Sequence, residues 1–184
     1  MNDDLDFARS IVHDALSYMH EQMAYRDNAS SSIIKAMAQL GKPFNDSLAA
    51  GLLSIGNVHA PIKQACRLWN NEHWFTEMSM MYLDERRIPG FGSAWYKEEP
   101  DPVVEQFFNS VPAEYGKQLE QMHEMVEQIK IITDRSLYPN AALATALACD
   151  CLKFSPEIGI FHVIQGRMYA WLDIYQKNYV DYGL

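Results

Sequence analysis

Hydrophobic side chains recur every three or four residues along most of this 184-residue chain, and this helical spacing constrains the fold more than any other feature. In residues 3–24 the recurring positions are Leu5, Ile11, Val12, Leu16, Met19 and Met23. Similar patterns predict helices near 30–39, 45–56, 62–84, 102–110, 114–133, 141–153 and 155–175. No stretch alternates with a period of two, as a half-buried strand would. The sequence therefore predicts an all-α protein.

Polar residues before several of these segments are candidate helix caps, because their side chains accept hydrogen bonds from free N–H groups of the first turn. The candidates are Asp27 or Asn28 for the second helix, Asn45 or Asp46 for the third and Asn140 for the helix at 141–153, while Ser155 or Pro156 is expected to start the last helix. These caps predict where the helices begin.

Composition excludes several classes of protein. Hydrophobic residues make up 48% of the chain and its net charge is −9, which indicates a folded protein without the basic surface that nucleic acids or anionic lipids attract. No apolar run approaches the roughly 20 residues of a membrane span, and the acidic N-terminus lacks the pattern of a signal peptide. Cys66, Cys149 and Cys151 form no CxxC pair, so we expect buried thiols and a cytoplasmic protein.

The segment Ile88–Gly92, reading Ile-Pro-Gly-Phe-Gly, cannot lie inside a helix or strand, because of its proline and two glycines. We expect a compact loop with open backbone N–H groups. Arg86, Arg87 and Lys97 flank it, so it is a candidate site for phosphate or carboxylate groups. The alternatives are an ordinary turn and solvated loop charges, and the acids Glu98, Glu99 and Asp101 would weaken an anion site.

Three ordered motifs between about residues 20 and 175 resemble the citrate synthase and citryl-CoA lyase family. The first is Ile-Pro-Gly-Phe-Gly-x-x-x-Tyr-Lys with the following Asp101-Pro102. The second runs from Asn28-Ala29-Ser30 through Ala49-Ala50-Gly51 to Gly56-Asn57-Val58-His59, and the third joins Tyr138-Pro139-Asn140 to the segment 166–171. The resemblance implies the C-terminal half of a citrate synthase-like chain.

The resemblance implies two helical lobes with the ligand between them. Residues 1–61 and 155–184 would form a truncated large lobe, and residues 62–154 a small lobe that carries the Gly-Phe-Gly loop. It also implies a homodimer, for which the helix with the small residues Ala49, Ala50 and Gly51 is the expected contact; tight packing within one subunit is the alternative.

In this family a histidine polarises the thioester carbonyl and an aspartate removes a proton from the acyl group. The resemblance places His59 at that histidine and Arg167 at an arginine that binds the substrate carboxylate. Other family positions hold residues of different chemistry: Ala142 at the catalytic aspartate, Ser93 and Tyr25 at two histidines, and Val103 at an arginine. Because losing a general base costs about 100- to 10,000-fold in rate, the sequence predicts no ordinary citrate synthase activity.

The candidate site residues fall into three groups, and each also has an ordinary structural alternative. Catalysis is expected from His59, with Ser93 and Tyr25. Substrate binding is expected from Arg167, Arg26, Tyr96 and His162. Binding of coenzyme A is expected from Arg86, Arg87, Gly90, Phe91, Gly92, Lys97 and Asn140. The remaining histidines show no spacing typical of a metal site, so we expect no metal.

Two functions fit this pattern. The first is a diverged enzyme that makes or cleaves a carbon–carbon or thioester bond next to a carbonyl, on a substrate other than oxaloacetate and acetyl-CoA, in specialised metabolism. Its substrate would be a small carboxylate or acyl compound, including a coenzyme A thioester. The second is a non-catalytic coenzyme A-binding or regulatory subunit that pairs with another citrate synthase-like chain.

Overall fold

A computed structural model describes residues 3–26, 28–55 and 60–183. Within these ranges every regular element is helical, which confirms the predicted all-α class. The α-helices are α1 (Asp3–Ala24), α2 (Ala29–Gln39), α3 (Phe44–Leu53), α4 (Ile62–Trp69), α5 (Trp74–Leu83), α6 (Pro102–Ser110), α7 (Gly116–Thr133), α8 (Ala141–Leu152) and α9 (Pro156–Asn178). None of these described helices is both long enough and apolar enough to cross a membrane.

Helix α8 lies at the centre of the molecule. All of its residues except Ala141 and Asp150 are buried, and α1, α4, α6, α7 and α9 all pack against it. Apart from Thr145, its buried side chains are apolar and cover every face, which is typical of a helix surrounded by others. The first turn of α8 is therefore held rigidly inside the fold, and the polar residue that caps it, Asn140, has a fixed position.

Helices α1 and α9 form the most extensive helix pair, and a glycine allows their close approach. A Cβ atom on Gly166 of α9 would lie 2.8 Å from the backbone oxygen of Ser17 and 2.8 Å from the Cβ of His20. Distances this short are essentially forbidden, so only glycine fits here without movement of α1. This contact fixes the position of the α1 segment that carries His20.

A second, smaller cluster joins α2, α3 and the C-terminal half of α9. Its buried members are Ala24, Ile34, Ala170 and Trp171. Gly51 of α3 faces Ile34 of α2, so this small residue allows packing within one subunit. On the same helix Ala49 and Leu53 are exposed. A homodimer contact through α3 stays a prediction.

The larger core cluster contains residues from both predicted lobes. Val12 of α1 lies in the same cluster as Leu68 of α4, Phe107 of α6 and Leu147 of α8. The first belongs to the expected large lobe and the other three to the expected small lobe. The lobe boundaries at 61/62 and 154/155 stay predictions.

The helix predicted at 62–84 is wrong, because the chain forms two helices there. Helix α4 ends at Trp69 and α5 begins at Trp74. Between them the side chain of Asn70 donates to the backbone oxygen of Cys66 at 2.9 Å, and that of Asn71 accepts from the N–H of His73 at 2.9 Å. Asparagine side chains compete in this way with the backbone bonds of a helix and end it.

Most of the predicted caps are confirmed. The side chains of Asn28 and Asn140 accept from the N–H groups of Ser31 and Ala142, respectively. The last helix begins at Pro156 as expected, and the side chain of Ser155 caps it by accepting from the N–H of Ile158. The cap predicted at Asn45 or Asp46 is wrong: α3 begins at Phe44, directly after Pro43, and has no side-chain cap. Pro43 occupies the cap position, and its side chain has no acceptor for the N–H groups of the first turn.

Candidate functional site

A central cavity of about 160 Å³ lies where the end of α1, the start of α8 and the middle of α9 meet the Gly-Phe-Gly loop. Its polar lining includes His20, Arg26, Ser93, Asp101, Asn140 and Arg167. A cavity of about 150 Å³ is large enough to hold benzene. The cavity therefore has room for a ligand fragment of about six heavy atoms.

The Gly-Phe-Gly loop is tied to the segment that leads into α8. The backbone oxygen of Gly90 accepts from the N–H of Asn140, and the N–H of Gly92 donates to the backbone oxygen of Tyr138, both at 2.9 Å. The side chain of Asn140 donates to the oxygen of Gly92 at 2.9 Å. Gly90 and Gly92 have φ angles of +93° and +79°, which favour glycine. Asn140 thus links the loop to α8.

The expectation that this loop offers open N–H groups is wrong for two of its residues. The N–H of Phe91 donates to the oxygen of Ile88 at 3.3 Å, and that of Gly92 is bonded to Tyr138. Phe91 itself is only 8% exposed and packs into the core. An anion at this loop would therefore be bound by side chains rather than by these backbone groups.

Ser93 lines the cavity, and its hydroxyl organises the turn that follows. Its Oγ accepts from the N–H groups of Trp95 and Tyr96, each at 3.2 Å. Serine commonly stabilises turns in this way. Because the oxygen already accepts two bonds, the hydroxyl can serve a ligand only as a donor.

Arg26 and Asp101 form an ion pair at the cavity wall. The guanidinium makes two hydrogen bonds to the carboxylate, one of them 2.8 Å long, and these bonds raise the pKa of Arg26. Asp101 is 3% exposed and also accepts from the N–H of Val103 at 3.0 Å, which caps α6. Asp101 is therefore not one of the loop charges that were expected to weaken an anion site. Arg26, already paired with a carboxylate of its own chain, is a poor candidate for the substrate anchor.

Arg167 brings a buried positive charge to the same cavity. It is 4% exposed, and its Nη1 donates to the Oγ of Ser30 at 3.1 Å. Burial lowers the pKa of Arg167 to about 10, so the guanidinium keeps its charge at neutral pH. A buried cation at a cavity wall favours an anionic or strongly polar ligand group. Its role in substrate binding stays a prediction.

His20 is a cavity residue that the motifs did not single out. It is 1% exposed, and its Nε2 lies 2.9 Å from the Oγ1 of Thr145. Burial, followed by the charges of Arg167 and His162, lowers its pKa well below the ordinary histidine value. Its spacing from Val12 and Leu16 already placed it on the buried face of α1. That polar residue on an apolar face was the signal available in the sequence.

We expect the free energy of unfolding to fall as the pH is lowered from 7.5 to 5.5. Below pH 6.5 the unfolded chain protonates His20 near the ordinary pKa of about 6.5, whereas the folded protein keeps it neutral. Stability is then lost by about 1.4 kcal/mol per pH unit, and above pH 6.5 this contribution vanishes. Burial and His13 also lower the pKa of His162, which acts in the same direction.

Urea denaturation at pH 7.5, 6.5 and 5.5 measures this loss. In the His20→Gln variant the free energy of unfolding should depend less steeply on pH, because unfolding takes up about one proton fewer. Equal pH dependence in the two proteins would contradict a neutral, buried His20.

Several predicted site residues lie away from the cavity. Tyr25 is 48% exposed and is not part of the cavity wall. His162 lies between α1 and α9 in an aromatic cluster, stacked on Phe154 with ring centres 5.2 Å apart and 4.8 Å from His13. It does not line the cavity, because this packing directs it into the core.

His59, the first catalytic candidate, lies outside the residues that the structure describes. The two residues that follow it, Ala60 and Pro61, line the cavity. The catalytic role of His59 stays a prediction.

Most of the expected coenzyme A residues line a groove beside the Gly-Phe-Gly loop, as does Tyr96, which was expected to bind substrate. The exceptions are Asn140, which lines the central cavity, and Gly90, which lines neither. Arg86 and Arg87 line one part of about 390 Å³, and Tyr96 and Lys97 line a neighbouring part of about 530 Å³. Arg135 lines both parts and is a further cation that the motif analysis missed, although it lies three residues before Tyr138-Pro139-Asn140. Residues 92–94 border both the groove and the central cavity.

The groove lining is basic, but acidic residues lie beside two of its cations and reduce its positive charge. Arg86 forms an exposed ion pair with Asp84 at 3.2 Å, and Glu98 lies beside Lys97 in the groove lining. Within the described ranges, no three His, Cys, Asp or Glu side chains come together as a metal site. The groove and the cavity together can hold an anionic ligand that spans the loop.

Solved structures with the same fold were found by comparison. A citryl-CoA lyase from Hydrogenobacter thermophilus superimposes with a TM-score of 0.73 at 19% identity, over 93% of this chain and 69% of that one. An ATP citrate lyase from Methanothrix soehngenii, in complex with citrate and coenzyme A, gives 0.69 at 18% identity, over 90% of this chain and 30% of that one.

A third structure is a Methanosaeta concilii ATP citrate lyase, with one aspartate replaced by alanine, in complex with (3S)-citryl-CoA. It gives a TM-score of 0.70 at 18% identity, over 90% of this chain and 30% of that one. No protein-family model and no curated protein matches this chain. At these low identities the likeness establishes architecture, and on that basis the chain has a citrate synthase-like fold.

Proposed function

We propose that this chain binds a coenzyme A thioester along the groove of the Gly-Phe-Gly loop and places its acyl end in the central cavity. The observation that carries the proposal is the shared border of groove and cavity at residues 92–94. Arg86, Arg87, Lys97 and Arg135 would bind the phosphates. The buried cation of Arg167 would bind a carboxylate or carbonyl oxygen of the acyl end.

We further propose that the chain is a diverged enzyme that makes or cleaves a carbon–carbon or thioester bond next to a carbonyl. Structures of the same fold hold citrate with coenzyme A, and (3S)-citryl-CoA, which supports an acyl-CoA ligand. Ala142, at the position that the motifs assign to the catalytic aspartate, lines the cavity and cannot accept a proton. This supports a substrate other than oxaloacetate and acetyl-CoA.

The same alanine supports the second candidate, a non-catalytic coenzyme A-binding or regulatory subunit. With an apolar methyl group where a base is expected, the cavity can still bind an acyl group without reacting with it. Such a subunit would pair with a second citrate synthase-like chain that supplies the chemistry. A homodimer of this chain is the other assembly we propose.

We expect isothermal titration calorimetry to detect micromolar binding of coenzyme A and acetyl-CoA. Replacing Arg135 or Lys97 by alanine should weaken binding about tenfold each, because each removes a charge-assisted hydrogen bond to phosphate. Lys63→Ala is the matched control, since Lys63 is an exposed lysine on α4 outside the groove. Absence of binding, or equal weakening by Lys63→Ala, would refute the coenzyme A site.

An exchange experiment in deuterated water distinguishes the two candidate functions. An enzyme that acts next to the carbonyl should exchange the acyl α-hydrogens of at least one thioester in a panel of short acyl-CoA compounds for deuterium, which mass spectrometry detects. Binding without exchange would favour the non-catalytic subunit.

A further inference from the structure

Several polar residues of the central cavity belong to the least accessible part of its lining. The side chains with exposures between 1% and 7% are those of His20, Asn28, Asp101 and Arg167. Two of their nitrogen atoms, Nδ1 of His20 and Nε of Arg167, are fully buried. A ligand that enters the cavity can therefore reach little of their polar surface.

Hydrogen-bond donors in the lining are also largely used within the protein. Arg26 donates twice to Asp101, and the side-chain amide of Asn28 donates to two backbone oxygens. The side-chain amide of Asn140 donates to the backbone oxygen of Gly92. A carboxylate that leaves water needs several donors, because each of its oxygens accepts more than one hydrogen bond. The lining therefore suits a carboxylate poorly.

The start of α8 adds few donors to the cavity. A helix N-terminus favours anions through the free N–H groups of its first turn. Here the N–H of Ala142 donates to the side chain of Asn140 at 2.9 Å, and that of Leu143 donates to its backbone oxygen at 3.0 Å. Two of the three donors in this turn are thus already used.

The more accessible part of the lining is mainly apolar. The apolar residues among its half-buried and exposed members are Met23, Ala60, Pro61, Ala94, Trp95 and Ala141. Ala142, where the motifs place the catalytic aspartate of the family, adds another apolar residue to the wall. Each methylene group that a ligand buries against such a surface is worth up to about fourfold in affinity.

We propose that the central cavity is a pocket for an uncharged, apolar acyl group of about six heavy atoms, and that it disfavours acyl groups that end in a carboxylate. One polar ligand atom still fits, because the thioester oxygen can accept from the hydroxyl of Ser93. Of the two ligand groups proposed for Arg167, the carbonyl oxygen is retained and the carboxylate is not. This inference deepens the proposed function, on which it rests for the thioester, by naming the class of acyl group.

The test compares isovaleryl-CoA with malonyl-CoA by isothermal titration calorimetry on the full chain. The two acyl groups have equal numbers of heavy atoms, and an isopropyl group in one replaces the carboxylate of the other. Isovaleryl-CoA should bind about tenfold to fiftyfold more tightly than acetyl-CoA, because it buries further carbon atoms. Malonyl-CoA should bind no more tightly than acetyl-CoA.

A charge placed in the accessible lining should change this preference. Trp95 is 52% exposed, so Trp95→Arg should fold, and the ratio of the affinities for isovaleryl-CoA and malonyl-CoA should fall by about tenfold. The matched control is Phe75→Arg on α5, since Phe75 is 45% exposed and lies outside the cavity and the groove. This control should leave the ratio unchanged.

A second experiment tests the cavity without coenzyme A. Isovaleramide and malonamate carry the same isopropyl and carboxylate groups on a small amide. In protein with ¹³C-labelled methionine methyl groups, isovaleramide should shift the resonance of Met23, assigned from Met23→Leu, and malonamate should shift it less. Met80, an exposed residue on α5 outside the cavity, should not respond to either.

Tighter binding of malonyl-CoA than of isovaleryl-CoA would overturn the proposal and would show that Arg167 attracts a carboxylate. Equal affinity for isovaleryl-CoA and acetyl-CoA would overturn it as well. Coenzyme A binding without this acyl preference refutes only the present inference. A response of Met23 to isovaleramide without coenzyme A binding refutes only the proposed thioester ligand, and the absence of both responses refutes both.

Discussion

Replacing Asp101 by alanine is expected to lower the free energy of unfolding by about 4 kcal/mol. Removing one partner of a buried ion pair leaves the other charge uncompensated, which typically costs about 3–5 kcal/mol. The lower end applies because the Arg26 side chain retains 17% exposure. Asp101 also caps α6 through the N–H of Val103, and a lost cap adds about 1 kcal/mol at most sites.

Urea denaturation measures the stability lost in Asp101→Ala, and a variant of an exposed ion pair serves as the reference. Lys63 and Glu157 lie 3.1 Å apart and are both exposed, so Lys63→Ala should cost less than about 1 kcal/mol. The double variant Arg26→Ala/Asp101→Ala should recover part of the loss, because no unpaired charge remains. A loss below 1 kcal/mol for Asp101→Ala would show that this pair does not hold the cavity wall.

Replacing Gly166 by alanine is expected to destabilise the protein by about 2 kcal/mol. The added Cβ would meet the backbone oxygen of Ser17 and the Cβ of His20, each at 2.8 Å, so α1 and α9 must separate. Overpacking of this kind costs about 1–3 kcal/mol, and the better helix propensity of alanine offsets up to about 1 kcal/mol of it. The destabilisation arises at the contact between α1 and α9, the helix pair that fixes the position of His20.

The matched control is Gly116→Ala at the start of α7. A Cβ at Gly116 meets nothing within 4 Å, so this substitution should be neutral or slightly stabilising. The two variants, compared by thermal or urea denaturation, isolate the contact between helices from the general effect of alanine. Equal stability of both variants would mean that α1 and α9 can move apart without cost.

The helices could be predicted from the sequence because their signals are local. The spacing of Val12 and Leu16 within α1, and the caps at Asn28 and Asn140, depend on residues one or two turns away. The break between α4 and α5 was missed for a related reason. Apolar residues at helical spacing on both sides of the polar segment 70–73 hid the competing hydrogen bonds of Asn70 and Asn71.

The candidate site was only partly predictable, although its motifs were visible. The resemblance to the family assigned Arg167, Ser93 and Asn140 to one site, and they do line one cavity. Tyr25 and His162, chosen on similar grounds, lie elsewhere. The motifs specify positions in a family, whereas the direction of a side chain depends on the helix surface that packs against it.

The sequence by itself determined an all-helical chain, a loop at Ile-Pro-Gly-Phe-Gly and the absence of a carboxylate at position 142. Only the tertiary structure decided which polar groups pair: Arg26 with Asp101, 75 residues apart, and His20 with Thr145, 125 residues apart. The physical reason is that helix formation depends on neighbours within a few residues. The partner and the protonation state of a buried side chain depend on how distant helices pack around it.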